Sequence, residues 1–503
     1  MKSSSPHAVS VVLNSISHDA RVLKEAHALA GAGYRVTVVG LKDNNCDDSL
    51  TVYPSGVRAV RVECRDRVAQ LIKLARFVKR PLRRPAIVIG FVILFVALPG
   101  VIEFMSEWVR RSESNQVLFL AAVGVVFGLG FDHYLLWRGG GKRGGARKRL
   151  GAKDRIARAF RNSLRRRVQC EFLTAQVQEL NPDVLHLHDV TALPVGLRYR
   201  KQGGTAKLIF DSHELYEDIP NASKYHRKRS KNLQAQIAPM LSGFITINDS
   251  IAAKLVKRYP QMPEPVLIMN AAVCPPSEAV DDGRLRRAAG LGPDTRILLY
   301  QGGFAAHRGL DKLVEAGPLL PEGWALVMMG WGKYEAFLRR KAALLDPQGT
   351  RVRFIERAKQ EELVHWTAGA DLGVIPYVNI GLNHWFCTPN KLWEYPAAGV
   401  PILASPFPEL RRIVEGERVG SLLDDPVTPE GIASVVAGID DEMLADLKLR
   451  CRSFITRDNW SVYAARLLGL YEEVIGLPNG AAGHEDAVVV TDSAGKIESS
   501  LPV

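Results

Sequence analysis

Short apolar runs alternate along this chain with stretches whose apolar positions recur every three or four residues, the rhythm of strands separated by helices. Ala8 to Leu13 reads as a buried strand, and Val36 to Gly40 as the next. Between them Asp19 to Ala30 reads as a helix with Val22, Leu23, Ala26, Leu29 and Ala30 on one side, completing a βαβ unit. Val57 to Cys64 alternates like a strand, and after a long interruption a helix ending at Leu180 leads into strands at Val184 to Leu187, Leu208 to Phe210 and Gly243 to Ile247. Residues 274–295, rich in Pro, Gly and Asp, read as a linker. The rhythm then restarts with strands at Arg296 to Gln301, Ala325 to Met329, Val352 to Ile355 and Ala370 to Pro376. A helix is predicted over Leu310 to Ala316, and the chain reads as helical from Pro429 to about Gly476. This predicts an α/β protein with two sheet-building regions and a polar, disordered tail over 477–503.

The interruption has a different pattern. Pro85 to Ile102 and Val117 to Phe131 are apolar, the second extending to Trp137, and the first holds eighteen uncharged residues, about the minimum for a membrane span. Before them Val68, Leu71, Ile72, Ala75 and Val78 fall at helical spacing among Lys73, Arg76 and Lys79, as in a helix lying among lipid headgroups. Residues 65–84 carry eight Lys/Arg against one Asp, and residues 138–167 carry thirteen against one. Those two blocks exceed the whole net charge of +13, so the remainder is acidic. Basic flanks around two apolar runs predict a hairpin at 85–137 with both flanks cytoplasmic and an anionic membrane as partner, rather than nucleic acid. Two buried core helices, or a hairpin entering one leaflet, are the alternatives.

The 503 residues allow two or three full-sized domains. Six scattered cysteines without a CxxC pair fit a reducing environment and suggest neither a disulfide framework nor a zinc site.

Candidate chemistry collects at strand ends. In Thr388 to Ser405, TPNKLWEYPAAGVPILAS, Thr388 can cap a helix that starts at Pro389, with Gly399 as its stop and Val400 to Ala404 as a strand. Asn390, Lys391 and Glu394 then cluster at the start of that helix. There Lys391 suits a diphosphate and Glu394 a pair of ribose hydroxyls, or the two form a solvated ion pair. Gly302 and Gly303, followed by Arg308, offer a second place where backbone can approach a ligand. HLHD at 186–189 and DSHE at 211–214 put polar residues just past strand ends, where open α/β sheets bind ligands. Two His-rich strand ends invite a metal reading, but no HExxH-type pattern accompanies them, and no metal is expected. The first turn lacks GxGxxG, which argues against a dinucleotide cofactor; no cofactor is expected.

PNKLWEYPAAGVPILAS resembles the donor-binding signature of glycosyltransferase family four. SHDARVLKEAHALAGAGYRVTVVG resembles the opening of many such enzymes, YQGGFAAHRGL their diphosphate loop, and MNAAV the segment where the chain leaves its first domain. The resemblance implies a GT-B fold, two Rossmann-like domains facing a cleft. The acceptor-side domain would span 1–273, interrupted by the hairpin, and the nucleotide-sugar domain 296–476, ending in a helix that crosses back. It implies Gly302, Gly303, Arg308, Asn390, Lys391 and Glu394 as donor-binding residues. Asp189, Asp211, His213 and Glu214 are the acceptor-side catalytic candidates, with His186 an alternative core histidine and Arg21 either a loop or a surface residue. Phe304 and Phe386 stand where the family has a cation and a sugar-touching glutamate. The activity implied is metal-independent hexosyl transfer, since no Asp-x-Asp is present, from a nucleotide diphosphate sugar to a lipid-linked or glycan acceptor at the cytoplasmic face of the cell membrane. A nucleotide-sugar epimerase of the same fold, or a non-catalytic scaffold, are the rival readings.

Overall fold

The computed structural model of the chain describes residues 5–17, 19–43, 48–70, 152–220, 222–274, 279–476, 490–491 and 497–498. Its two larger sheets follow from the two runs of alternating pattern. The first orders its strands β3-β4-β2-β1-β5-β6-β7-β8. These are β1 (His7–Val11), β2 (Arg35–Leu41), β3 (Leu50–Val52), β4 (Arg58–Val62), β5 (Val184–His188), β6 (Lys207–Ser212), β7 (Gly243–Thr246) and β8 (Pro265–Leu267). All neighbours are parallel except the edge pair β3 and β4. The second sheet runs β11-β10-β9-β12-β13-β14, parallel throughout. It comprises β9 (Arg296–Gly303), β10 (Trp324–Trp331), β11 (Val352–Ile355), β12 (Leu372–Ile375), β13 (Ile402–Ala404) and β14 (Gly420–Leu422). Parallel strands buried on both faces explain the continuous apolar runs: all five residues of β1 and all four of β12 are buried.

In each sheet the strand order reverses once, between β1 and β5 and between β9 and β12, and those are the places where such sheets leave a crevice at the carboxyl ends of their strands. The helix Trp460–Ile475 joins the two halves. Its first N–H bonds the Ala272 carbonyl at 2.8 Å, Arg466 donates to Leu267 O, and Tyr471 packs edge-on against Tyr34. One apolar core accordingly runs from Ala8 and Val22 of the first half to Trp393 and Tyr463 of the second.

The expected hairpin at 85–137 lies outside the described residues, as does most of the tail. No helix among the described residues is long and apolar enough to cross a membrane. The second basic block continues into a helix, Ala152–Leu180, that buries Leu164, Val168, Leu173 and Val177 and exposes Arg161, Arg165, Arg166 and Arg167.

Candidate active site

The donor-side cluster is built where β9 and β12 end and the Lys391–Ala397 helix begins. Gly302 takes φ +114°, and a Cβ there would lie 3.1 Å from Lys391 Nζ, so the absent side chain is what lets backbone and ammonium meet. Gly309, at φ +66°, passes so close to the Pro376 carbonyl that any Cβ would collide with it. That contact brings Arg308 onto the end of β12. Arg308 donates to the Gly303 carbonyl at 3.2 Å and lies over the Tyr377 ring. Lys391, buried, donates to the Tyr377 hydroxyl at 3.4 Å and stands 5.2 Å from the centre of the Tyr300 ring. Among the described residues no carboxylate lies within ion-pair distance of either cation. Two partly desolvated cations held only by phenols and carbonyls form a site for a multivalent anion.

Glu394 turns away from Lys391. Its Oε2 accepts from Gln301 Nε2 at 2.9 Å, and Gln301 Oε1 in turn accepts from the Thr367 hydroxyl at 2.8 Å. The solvated Lys-Glu pair is therefore not formed. The helix begins two residues later than the sequence pattern predicts, at Lys391, and Asn390 at its cap position makes no side-chain cap bond. Asn248 explains the difference: its amide donates to Phe386 O at 2.7 Å and to Thr388 Oγ1 at 3.3 Å, drawing Thr388 toward the first half instead of onto the helix. Asn390 also reaches across, its Oδ1 accepting from Asn270 at 3.1 Å. Phe304 is a core residue against Tyr300 and Phe354, and Phe386 packs onto the first half's core beneath Lys254.

The acceptor-side cluster lies at the β1/β5 switch point. Asp189, Asp211 and His213 come together: His213 Nε2 is 2.7 Å from Asp211 Oδ2, and its Nδ1 is 3.5 Å from Asp189 Oδ1. The candidates differ in access. Asp211 is fully buried, whereas Asp189 is 40% exposed and His213 19%. Asp211 therefore supports the His213 ring and does not face a substrate. Asp189 adopts φ 66°, a strained position for a residue with a Cβ, and is held there by the Tyr216 hydroxyl. The Asp211 carboxylate, with Asp189 further off, raises His213 to about 9 despite its desolvation. Glu214 reaches solvent at the rim of the cleft, and desolvation followed by the Asp189 charge raises its carboxyl. The loop is tied to the second half by Leu215 N donating to Asn383 Oδ1 at 2.7 Å.

Sequence reasoning missed what surrounds Asp211. Arg21 is buried, and its Nε and Nη2 each donate to Asp211 at 2.9 Å. Glu25, one turn on, is equally buried beside it at 3.0 Å. The signal was available: Arg21 and Glu25 fall on the same face as Val22 and Ala26, the face assigned to the core. His186 is a core residue whose Nδ1 pairs with the Tyr471 hydroxyl at 2.9 Å, as its alternative reading allowed. Glu25, His186, His188 and Asp211 bring four donor atoms within 4.8 Å of one another, a set of the type that holds a transition metal. The Arg21 guanidinium, in contact with both carboxylates, already supplies positive charge at that point.

Residues 295–439 match the family model described as Glycosyl transferases group 1. The D-inositol 3-phosphate glycosyltransferase of Xylanimonas cellulosilytica is 29% identical over 204 residues, covering 39% of this chain and 47% of that protein. The chain spans about half the length of the curated relatives it matches. Among solved structures, sucrose-phosphate synthase from Thermosynechococcus elongatus superposes with a TM-score of 0.63 at 17% identity, over 93% of this chain and 99% of that one. HepE from Anabaena, in complex with UDP, gives a TM-score of 0.59 at 12% identity over 93% and 99%. These matches bear out the resemblance to family-four glycosyltransferases and, with the two parallel sheets, the GT-B fold.

Proposed function

We propose, for a chain that resembles the family-four glycosyltransferases and shares their GT-B fold, that it transfers a sugar from a nucleotide diphosphate donor to a lipid-linked or glycan acceptor on the cytoplasmic face of a membrane. The observation that carries the reading is the pair Arg308 and Lys391, cations without counter-ions among the described residues, beside Gly302 and Gly303, with Glu394 one helical turn from Lys391. The diphosphate would bind the two cations and the open backbone at the two glycines. Glu394, aimed by Gln301, would accept the ribose hydroxyls. As the bond to the sugar breaks, negative charge grows on the diphosphate, and fixed cations stabilise that charge more than the ground state, so no metal ion is required for the step. Asp189 and His213 face the cleft from the other side and would orient the acceptor or sugar hydroxyls.

The exposed arginines of the Ala152–Leu180 helix, which continue the basic block following the apolar stretch, support docking against anionic lipid. The relatives that are named for inositol phosphate make a phosphorylated polyol a second acceptor class to try.

The test is incubation of membranes containing the protein with radiolabelled nucleotide sugars. Label entering a lipid-extractable or polymeric product is expected, and it should survive EDTA. Free epimerised sugar in place of product would support the epimerase. Tight donor binding without any product would support the scaffold.

A further inference from the structure

Two phenols line the wall of the donor-side cluster, and they differ in what their hydrogens do. The Tyr300 hydroxyl donates to the Gly303 carbonyl at 3.0 Å, so its hydrogen is used inside the protein. The Tyr377 hydroxyl accepts from Lys391 at 3.4 Å, and among the described residues nothing accepts its own hydrogen. Because the ammonium takes the acceptor side of that oxygen, the hydrogen is directed away from it and is left for an incoming acceptor. The Tyr377 ring is buried and held from several sides. It lies two residues past β12, and its own carbonyl accepts from Ser405 Oγ at 2.7 Å. His384 stacks on the ring with centres 5.2 Å apart, and the Arg308 guanidinium lies 5.6 Å from its centre. His384 is fixed in turn by the Val378 carbonyl at 2.7 Å and by edge-on contacts with His307 and Phe407. A phenylalanine would fill the same place without burying a hydroxyl whose hydrogen is unmatched, so packing alone does not account for the oxygen.

We propose that Tyr377 is a third donor of the anion site: Arg308 and Lys391 supply the charge, and the Tyr377 hydroxyl gives its hydrogen to a non-bridging oxygen of the leaving diphosphate. That the anion is the donor's diphosphate rests on the function proposed above. The three donors meet at one place, since a Cβ on Gly302 would lie 3.1 Å from Lys391 Nζ and 3.9 Å from Arg308 Nη1, and the phenol oxygen is the group that Lys391 touches. The hydrogen stays on the phenol throughout. Burial pushes the hydroxyl well above the usual tyrosine range against the pull of Arg308, so it remains a donor at working pH. A donor already fixed in place by its ring contacts strengthens its bond as negative charge grows on the phosphate, without any reorganisation.

Tyr377→Phe removes one oxygen and keeps the ring with its Arg308 and His384 contacts. The full-length protein is titrated with a nucleoside diphosphate and with the matching nucleoside, which has no phosphate, using whichever of UDP, GDP and ADP the parent binds most tightly. The variant should bind the diphosphate about tenfold or more weakly and the nucleoside within about twofold of the parent. With the nucleotide sugar, kcat should fall further than affinity, because the charge on the diphosphate grows in the transition state. An unchanged diphosphate affinity, or a diphosphate and a nucleoside weakened alike, overturns the proposal and leaves the hydroxyl a packing feature. Loss of folding in Tyr377→Phe overturns it as well, because the oxygen would then be a structural bond. Inorganic pyrophosphate separates the inference from the proposed function. A parent that binds pyrophosphate but no nucleotide removes the nucleotide-sugar reading, while a loss of about tenfold in pyrophosphate affinity in Tyr377→Phe still upholds the role of the phenol. A parent that binds neither removes both.

Discussion

The two faces of the cleft handle charge in opposite ways. On the second half, Arg308 and Lys391 rest against Tyr300, Tyr377 and backbone carbonyls with no acid beside them among the described residues. On the first half, Arg21 is closed by a bidentate bond to Asp211 and by Glu25, and His213 lies between two aspartates. One site is electrostatically open, as a site that a ligand would complete. The other is internally closed, and its work is to hold a ring and an acid in place. Removing a charge should therefore cost ligand binding or turnover on one side and stability on the other.

The largest effect expected is on the closed side. Asp211→Asn takes from the buried Arg21 guanidinium the acid that accepts two of its hydrogens and leaves only Glu25 beside it, a loss of about 3–5 kcal/mol of stability. Chemical denaturation should show the midpoint falling while UDP affinity, measured at a temperature where the variant is folded, stays unchanged. A variant as stable as the parent would show that Arg21 is satisfied by Glu25 and the Ile268 carbonyl alone.

On the open side the next effects are on binding. Glu394→Gln keeps the Gln301 contact through its remaining carbonyl oxygen but loses a charge-assisted acceptor, so the nucleotide donor should bind more weakly by about 1.5–3 kcal/mol, roughly ten- to hundredfold. Folding should be intact. Lys391→Ala should leave the unliganded protein about as stable, since it removes a buried cation that has phenols and Arg308, and among the described residues no carboxylate, beside it. Its loss should fall more on kcat than on donor affinity, because charge on the leaving diphosphate grows in the transition state. Isothermal titration with the nucleotide sugar separates the two variants. If Glu394→Gln instead lowers the melting temperature and leaves donor affinity alone, Glu394 is a structural partner of Gln301.

How much of this arrangement could be read from the chain depends on the range of the interactions involved. Strands such as His7–Val11 and Leu372–Ile375 were legible because burial on both faces leaves a local apolar run. Gly302, Arg308, Lys391 and Glu394 were legible as candidates because the ligand chemistry they suit is written in short motifs. What was not legible depended on partners far away in sequence. Thr388 fails to cap its helix because Asn248, 140 residues earlier, claims it. Arg21 is buried because Asp211, 190 residues later, neutralises it; its place on the core face of its helix is local, but the partner that makes its burial possible is not. Lys391 and Glu394 part company for the same reason, one finding Tyr377 and the other Gln301.

The remaining effects concern pH, and here too the two faces should differ. His213, on the closed side, titrates at about 9 in the folded protein, above its ordinary value of 6.5, because Asp211 and Asp189 favour its charged form. Its stabilising contribution is complete below about pH 6.5 and is lost as pH rises from there through 9. His384, on the open side, stacks on Tyr377 and is lowered to about 4, chiefly by burial, with His307 and Arg308 adding repulsion. In the interval from 6.5 down to 4 the unfolded chain takes up a proton on that histidine before the folded one does, so this contribution is lost as pH falls. His7 and His27, also lowered to about 4 by burial, act in the same direction. Summed over these histidines, stability measured by denaturation across pH should thus peak near pH 6.5 and fall away on an edge to each side. His213→Gln should flatten the alkaline edge and leave the acid edge in place, and His384→Gln should soften only the acid edge, leaving the shares of His7 and His27. If one substitution moved both edges, the two faces would titrate as a single network across the cleft, and the separation between an open and a closed site would not hold.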